Sequence, residues 1–82
     1  MILSAEITLY PFNEDYLPPI KAYIEKLNQY PDIQVETYPT ATVVMGEYNR
    51  VMDVIRDSIA WSHENFGKVV FITKFIPGYQ AL

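Results

Sequence analysis

The stretch from residue 2 to residue 10 reads ILSAEITLY, and it decides the fold of this chain. Its apolar and polar residues alternate, which predicts a β-strand with two unlike faces. The residues of the apolar face are Leu3, Ala5, Ile7 and Leu9. The opposite face carries Ile2, Ser4, Glu6, Thr8 and Tyr10. We therefore expect helices to cover the first face and to leave the second uncovered; the second is called the open face below.

A first helix is predicted after the loop that follows this strand. The pair Pro18-Pro19 suits its first turn, where a missing N–H group does no harm. Ile20, Ile24 and Leu27 then recur at helical spacing, with Tyr23 beside them. This row predicts the face that packs on the core, and Pro31 should end the helix.

A second helix is predicted from Asn49, whose side chain can cap it. Its apolar stripe consists of Val51, Val54, Ile55, Ile59, Ser62 and Phe66. Gly67 suits the end of this helix, because glycine adopts positive φ at little cost.

Three further strands complete the pattern: residues 33–38 (IQVETY), 42–48 (TVVMGEY) and 69–76 (VVFITKFI). The order is βαββαβ. Right-handed crossovers then predict an α+β, ferredoxin-like domain with an antiparallel sheet in the order 4-1-3-2 and both helices on one face. We expect residues 1–82 to form this single domain.

Composition excludes several classes of function. The chain has no cysteine, which rules out disulfides, thiolate catalysis and Cys-x-x-Cys metal sites. Its net charge of −4 opposes the phosphate contacts that nucleic-acid binding requires. It has neither a signal-peptide pattern nor a long uncharged apolar run, so we expect a cytoplasmic protein with no membrane partner.

The open face is too apolar to face water. Lys74 is a poor candidate for the core, so Val70, Ile72 and Ile76 should lie with it on the open face. Such a surface predicts a homo-oligomer, a dimer or a tetramer, joined through this face. The interface between two such faces could enclose Glu6 and hold a small molecule. The alternative is that Glu6 forms an ion pair with Lys74 across neighbouring strands.

Four segments resemble the YkoF-like thiamine-binding family: EITLYP at residues 6–11, YPTAT at 38–42, GEY at 46–48 and KFIPG at 74–78. The resemblance spans nearly the whole chain. It implies a ferredoxin-like, non-catalytic protein of thiamine salvage or transport that binds thiamine or its hydroxymethylpyrimidine moiety and needs no cofactor or metal. In the family the turn into the third strand reads Met-Ser-Thr, whereas here it reads Thr40-Ala41-Thr42, which moves one hydroxyl.

An aminopyrimidine needs a hydrogen-bond acceptor and a donor, and a thiazolium cation suits a carboxylate or an aromatic face. The candidate ligand-binding residues are Glu6, Thr8, Tyr10, Tyr38, Thr40 and Thr42. Structural roles compete for some of them: Tyr38 could fill a sheet edge and Thr42 could serve as a β-former. We expect Glu47 to act as a charge at a helix N-terminus and His63 to be a surface residue without a metal.

Two other functions compete with ligand binding. One is an ACT-like sensing or assembly domain, in which the open face joins chains and no thiamine is bound. The other is an acylphosphatase-like hydrolase, which needs an arginine and a phosphate cradle after the first strand. That loop is PFNED at residues 11–15, acidic and without glycine, and the single histidine supports no triad, so we expect no enzyme and no catalytic residue.

Overall fold

The computed structural model describes all of residues 1–82 and confirms the predicted ferredoxin-like fold. Its elements are β1 (Ile2–Pro11), α1 (Leu17–Asn28), β2 (Gln34–Tyr38), β3 (Ala41–Glu47), α2 (Tyr48–Phe66) and β4 (Val69–Pro77). The four strands form one antiparallel sheet in the order β2-β3-β1-β4, which is the predicted order. Neither helix combines the length and the apolar character that a membrane crossing needs.

The register of β1 explains the two faces of the sheet. Ala5 lies opposite Val44 of β3 and Phe75 of β4, and Glu6 lies opposite Val43 and Lys74. Residues directly opposite each other point to the same side of a sheet, so the alternation seen in β1 extends across its neighbours. The buried cluster beneath the helices consists of Leu3, Ala5, Ile7, Tyr23, Leu27, Ile33, Val44, Val51, Val54 and Ile55.

A buried polar link joins the two helices. The hydroxyls of Tyr23 on α1 and Ser58 on α2 are 2.9 Å apart, and Ser58 Oγ donates to the carbonyl of Ile55 at 3.1 Å. Since Ser58 has one proton, Tyr23 must be the donor between them. The Tyr23 ring also meets Phe71 of β4 edge to face, with centroids 5.2 Å apart. One side chain therefore fixes both helices relative to the sheet.

The buried row of α1 differs from the predicted one. Pro19, Tyr23 and Leu27 are buried, whereas Ile20 and Ile24 are only partly covered. The row spaced by four residues from Pro19 faces the core, and the adjacent row flanks it. Two apolar rows side by side are wider than the core contact of one helix, and spacing alone did not show which row is inside.

The N-terminus of α2 also corrects a prediction. Glu47, not Asn49, is the N-cap: its carboxylate accepts a hydrogen bond from the backbone N–H of Arg50 at 3.0 Å. Backbone N–H groups of Arg50 and Asn49 hold the pKa of Glu47 below its usual value. The helix thus begins at Tyr48, directly after β3. Its end is as expected, because Gly67 has φ +76° and donates to the carbonyl of His63 at 2.9 Å.

The residues after β4 fold back over one end of the open face. Ser4 Oγ donates to the carbonyl of Tyr79 at 2.6 Å and accepts from the backbone N–H of Ala81 at 3.0 Å. The backbone N–H of Leu82 lies 3.5 Å from the sulfur of Met45. Ser4 and Met45 are therefore buried although they point away from the helices. The expectation that the whole open face is bare is wrong at this end.

Candidate ligand-binding cleft

A cleft of about 470 Å³ opens between α1 and the β2–β3 hairpin, beside the end of β1. This volume is within the range of small-molecule sites, roughly 300 to 1,000 Å³. The residues that line it are Ile7, Thr8, Leu9, Tyr10, Leu17, Ile20, Lys21, Ile24, Thr37, Tyr38, Pro39, Thr40, Ala41 and Thr42. We call it the α1–hairpin cleft.

The helical wall of this cleft follows from the orientation of α1. Because Pro19, Tyr23 and Leu27 supply the core contact, Ile20 and Ile24 remain available to face the hairpin. They form an apolar wall opposite a strand wall that carries threonine hydroxyls. An apolar surface facing a few polar groups suits a planar heterocycle with hydrogen-bonding substituents.

Two threonines on the strand wall form a hydrogen-bonded pair. Thr37 of β2 lies directly opposite Thr42 of β3, and their Oγ1 atoms are 3.2 Å apart. One hydroxyl donates to the other, which leaves one proton and several lone pairs for a ligand. Thr42 is 5% exposed, so a hydrogen bond to it would be largely shielded from water.

The mouth of the cleft is formed by the hairpin turn and two tyrosines. Thr8 Oγ1 donates to the carbonyl of Thr40 at 3.1 Å, which ties β1 to the turn. Tyr10 and Tyr38 are 56% and 50% exposed. Their rings stack on no other aromatic ring and hold no cation. The register places both side chains on the open-face side of their strands, so they border the cleft from outside its threonine wall.

The structure brings five of the six candidate ligand-binding residues together at this cleft: Thr8, Tyr10, Tyr38, Thr40 and Thr42. Glu6 does not line it. Its carboxylate lies 3.8 Å from the ammonium of Lys74, on the open face, as the ion-pair alternative predicts. Thr42 lies opposite Ile7 on the helix-covered side, so Thr42 and Glu6 cannot share one niche on the open face.

Sequence reasoning missed Thr37 and the helical wall with Leu17, Ile20, Lys21 and Ile24. A signal for Thr37 was present, because a two-residue turn at Pro39-Thr40 places residues 37 and 42 opposite each other. The second apolar row of α1 was the signal for the helical wall. Neither signal is visible when each strand and helix is considered separately.

Two other surface depressions are weaker candidates. The one of about 530 Å³ at the opposite end of the sheet includes Asp32 and Glu47. Asp32 already accepts from Arg50 at 2.6 Å, and Glu47 already caps α2, so both carboxylates are in use. The one of about 330 Å³ includes the exposed His63 and Lys68 near the end of α2.

Part of the open face stays bare beyond the C-terminal segment. Val70, Ile72 and Ile76 of β4 are 41%, 51% and 44% exposed. Their partners on β1 are Tyr10, Thr8 and Ser4, so these side chains continue across two adjacent strands. This apolar surface, called the β4 patch below, flanks the Glu6–Lys74 pair and has the character expected of a contact surface.

Comparison with known proteins finds a matching family and several similar solved structures. The model of the YKOF-related Family matches residues 2–75. A Streptococcus pneumoniae protein superposes with a TM-score of 0.87 at 18% identity, covering 96% of this chain and 89% of its own. A Thermotoga maritima protein, provisionally described as a thiamine biosynthesis/salvage protein, superposes with a TM-score of 0.85 at 23% identity. The match covers 99% of this chain and 86% of that protein. No curated protein matches significantly in sequence.

Proposed function

The chain belongs to the YkoF-related family, and from that premise we propose that it is a non-catalytic protein of thiamine salvage or transport that binds thiamine or its hydroxymethylpyrimidine moiety in the α1–hairpin cleft. The single observation that carries the proposal is the Thr37–Thr42 hydroxyl pair facing the apolar wall of α1. The description of the Thermotoga maritima neighbour supports the same ligand class.

In the proposed complex the pyrimidine ring lies between Ile24 and the threonine wall. Its exocyclic amine donates to a threonine oxygen, and a ring nitrogen accepts the free hydroxyl proton of the Thr37–Thr42 pair. Tyr38 lies at the rim of the cleft, one residue beyond Thr37 and on the opposite side of β2. Each buried hydrogen bond of this kind contributes roughly 0.5 to 1.5 kcal/mol to binding.

The lining of the cleft supports binding without turnover. Its polar side chains are threonine and tyrosine hydroxyls and one lysine ammonium, with no carboxylate and no imidazole. Histidine and carboxylate side chains are the commonest groups for proton transfer at neutral pH, and lysine and tyrosine take that role less often. We therefore assign no reaction to the cleft.

Assembly is the second part of the proposal. The β4 patch is apolar and exposed, and a second copy of the chain is the simplest partner that covers it by a two-fold contact. An ACT-like assembly domain without a thiamine ligand is the competing function, because the same patch would serve it equally well. The α1–hairpin cleft distinguishes the two, since pure assembly has no use for it.

Thermal unfolding with added ligand tests the proposal. Thiamine, hydroxymethylpyrimidine and an analogue without the exocyclic amine would be compared at equal concentrations. A ligand present at a hundred times its Kd should stabilise the fold by roughly 2.7 kcal/mol, and the analogue should have a smaller effect. If none of the three raises the midpoint while the protein remains oligomeric, the assembly function replaces ligand binding.

A further inference from the structure

The turn of the β2–β3 hairpin, Pro39-Thr40, lies beyond the last residue pair that joins the hairpin to β1. β3 pairs with β2 as far as Ala41, next to the turn. It pairs with β1 only as far as Thr42, opposite Ile7. Past that pair, β1 continues alongside β4 alone. The turn therefore projects beyond the β1–β3 ladder, at the edge of the α1–hairpin cleft.

One hydrogen bond links this turn to β1. Thr8 Oγ1 donates to the carbonyl of Thr40 at 3.1 Å. Neither Pro39 nor Thr40 takes part in any other hydrogen bond, from backbone or side chain. Apart from its covalent connection to the two hairpin strands, the turn is therefore tied to the sheet by the Thr8 hydroxyl.

The Thr8 hydroxyl is not placed to contact a pyrimidine beside the Thr37–Thr42 pair. Thr8 lies opposite Ile72 of β4, on the open-face side of the sheet, whereas Thr42 lies on the helix-covered side. The single proton of the Thr8 hydroxyl already goes to the Thr40 carbonyl. Any effect of Thr8 on the bound pyrimidine is therefore exerted through the turn.

The turn is important to the cleft because it forms part of the lining and leads directly into the rest. Pro39 and Thr40 line the cleft, and Ala41 and Thr42 of β3 follow them along the chain. A segment with so few hydrogen bonds can open locally at a low cost in free energy. A ligand that binds such an opened segment must order it again, which lowers the affinity. A contact that holds the turn before the ligand arrives avoids this loss.

We propose that Thr8 is a positioning residue of the cleft. Its hydroxyl holds the Thr40 carbonyl and thereby keeps the turn and Thr42 in the arrangement that binds the pyrimidine. This rests on the proposed function, and it gives Thr8 a role other than the direct ligand contact expected from the sequence.

The test measures the affinity for hydroxymethylpyrimidine by isothermal titration calorimetry. Thr8→Val keeps the shape of the side chain and removes the hydroxyl, so it should weaken binding by about fivefold, the effect of one neutral hydrogen bond. Thr8→Ser restores the hydroxyl and should recover the affinity to within about twofold of the wild type. Thr73→Val makes the same chemical change on β4, outside the cleft, and should bind as the wild type does.

Hydrogen exchange in the absence of ligand gives a second readout, which separates positioning from direct contact. The backbone amides of Ala41 and Thr42 should exchange about fivefold faster in Thr8→Val than in the wild type, Thr8→Ser or Thr73→Val. If Thr8→Val keeps the wild-type affinity, or loses affinity without faster exchange at these amides, the positioning role is overturned and the pyrimidine site remains. If the wild type does not bind hydroxymethylpyrimidine, the proposed function is overturned and the positioning role with it.

Discussion

Thr37 and Thr42 face each other across β2 and β3 with their Oγ1 atoms 3.2 Å apart, and both line the α1–hairpin cleft. A hydroxyl pair in a half-covered apolar site satisfies part of its own hydrogen-bonding capacity and leaves the rest for a ligand. The pair therefore has two effects that can be separated: it stabilises the hairpin, and it presents a donor and an acceptor to the cleft.

Thr42→Val is expected to weaken binding of hydroxymethylpyrimidine by about tenfold, because valine keeps the shape of the side chain and removes its hydroxyl. Titration calorimetry measures the affinity, and urea unfolding shows whether the fold is kept. Thr73→Val is the matched control: Thr73 also points to the helix-covered side, opposite Ile7, but lies on β4 outside the cleft. Unchanged affinity in Thr42→Val would remove Thr42 from the site.

Glu6→Gln tests whether the ligand lies in the cleft or at a seam on the open face. Sequence alone predicts that this change weakens a cationic ligand, whereas the structure places Glu6 outside the cleft, beside Lys74. We expect the affinity for thiamine to stay within about twofold of the wild type, since no atom of the cleft changes. A tenfold loss measured by calorimetry would move the ligand to the open face.

The fold follows from the sequence because its signals are local and agree with each other. The alternation in β1, the two prolines that open α1 and Gly67 after α2 each specify an element or a boundary, and crossover handedness then limits the topology. The N-cap of α2 was missed because a glutamate is an unusual cap. Glu47 takes this role since β3 runs straight into the helix.

The candidate site was harder to predict because it depends on how elements are placed relative to each other. The candidate polar residues were taken from the resemblance to the YkoF-like family together with their chemistry, and five of the six line the cleft. The rotation of α1, which sends Ile20 and Lys21 to the cleft instead of the core, is set by tertiary packing around Tyr23. The position of the C-terminal segment over Ser4 is likewise not predicted by any local sequence pattern.

Ile72→Asp is expected to separate an oligomer formed through the β4 patch. Ile72 is 51% exposed in the single chain, so the change should leave the fold largely intact. In a sheet-to-sheet contact it would bury an unpaired charge, which costs several kcal/mol and should raise the dissociation constant by about a hundredfold or more. Light scattering after size-exclusion chromatography measures the mass of the assembly.

Met52→Asp provides the control for this experiment, since Met52 is 39% exposed on α2, away from the β4 patch. It should keep the mass of the wild type. A wild type that is monomeric at high concentration, or an Ile72→Asp variant that keeps the oligomer, contradicts assembly through this patch.

The buried phenol of Tyr23 should lower the free energy of unfolding in alkali. Burial raises the pKa of its phenol from about 10 to about 12, because the ionised form would lose its hydration. The folded state thus favours the protonated phenol. Its contribution to the free energy of unfolding is therefore complete below pH 10 and disappears as pH rises toward 12. A difference of this size corresponds to roughly 3 kcal/mol of the free energy of unfolding. Urea unfolding between these pH values measures it.

Tyr23→Phe isolates that contribution. The variant loses the hydrogen bond to Ser58, so it should be about 1 kcal/mol less stable at neutral pH. Its stability should then fall less steeply in alkali than that of the wild type. Tyr16→Phe, at an exposed position before α1, should follow the wild-type profile. Parallel profiles for Tyr23→Phe and the wild type would rule out Tyr23 as the source of the alkaline loss.

Two buried serines allow the C-terminal segment to be tested with a matched pair. Ser4 is 1% exposed and makes two hydrogen bonds to the segment, whereas Ser62 on α2 is 0% exposed and its hydroxyl has no partner. Ser4→Ala should lower the free energy of unfolding by roughly 1 to 2 kcal/mol, and Ser62→Ala should be neutral or stabilising, since it removes an unsatisfied group. Hydrogen exchange adds a local readout, because the Ala81 amide donates to Ser4 Oγ and should exchange faster in Ser4→Ala alone. Equal protection of that amide in both variants would show that the segment is held over the sheet by packing against Met45 rather than by the Ser4 hydroxyl.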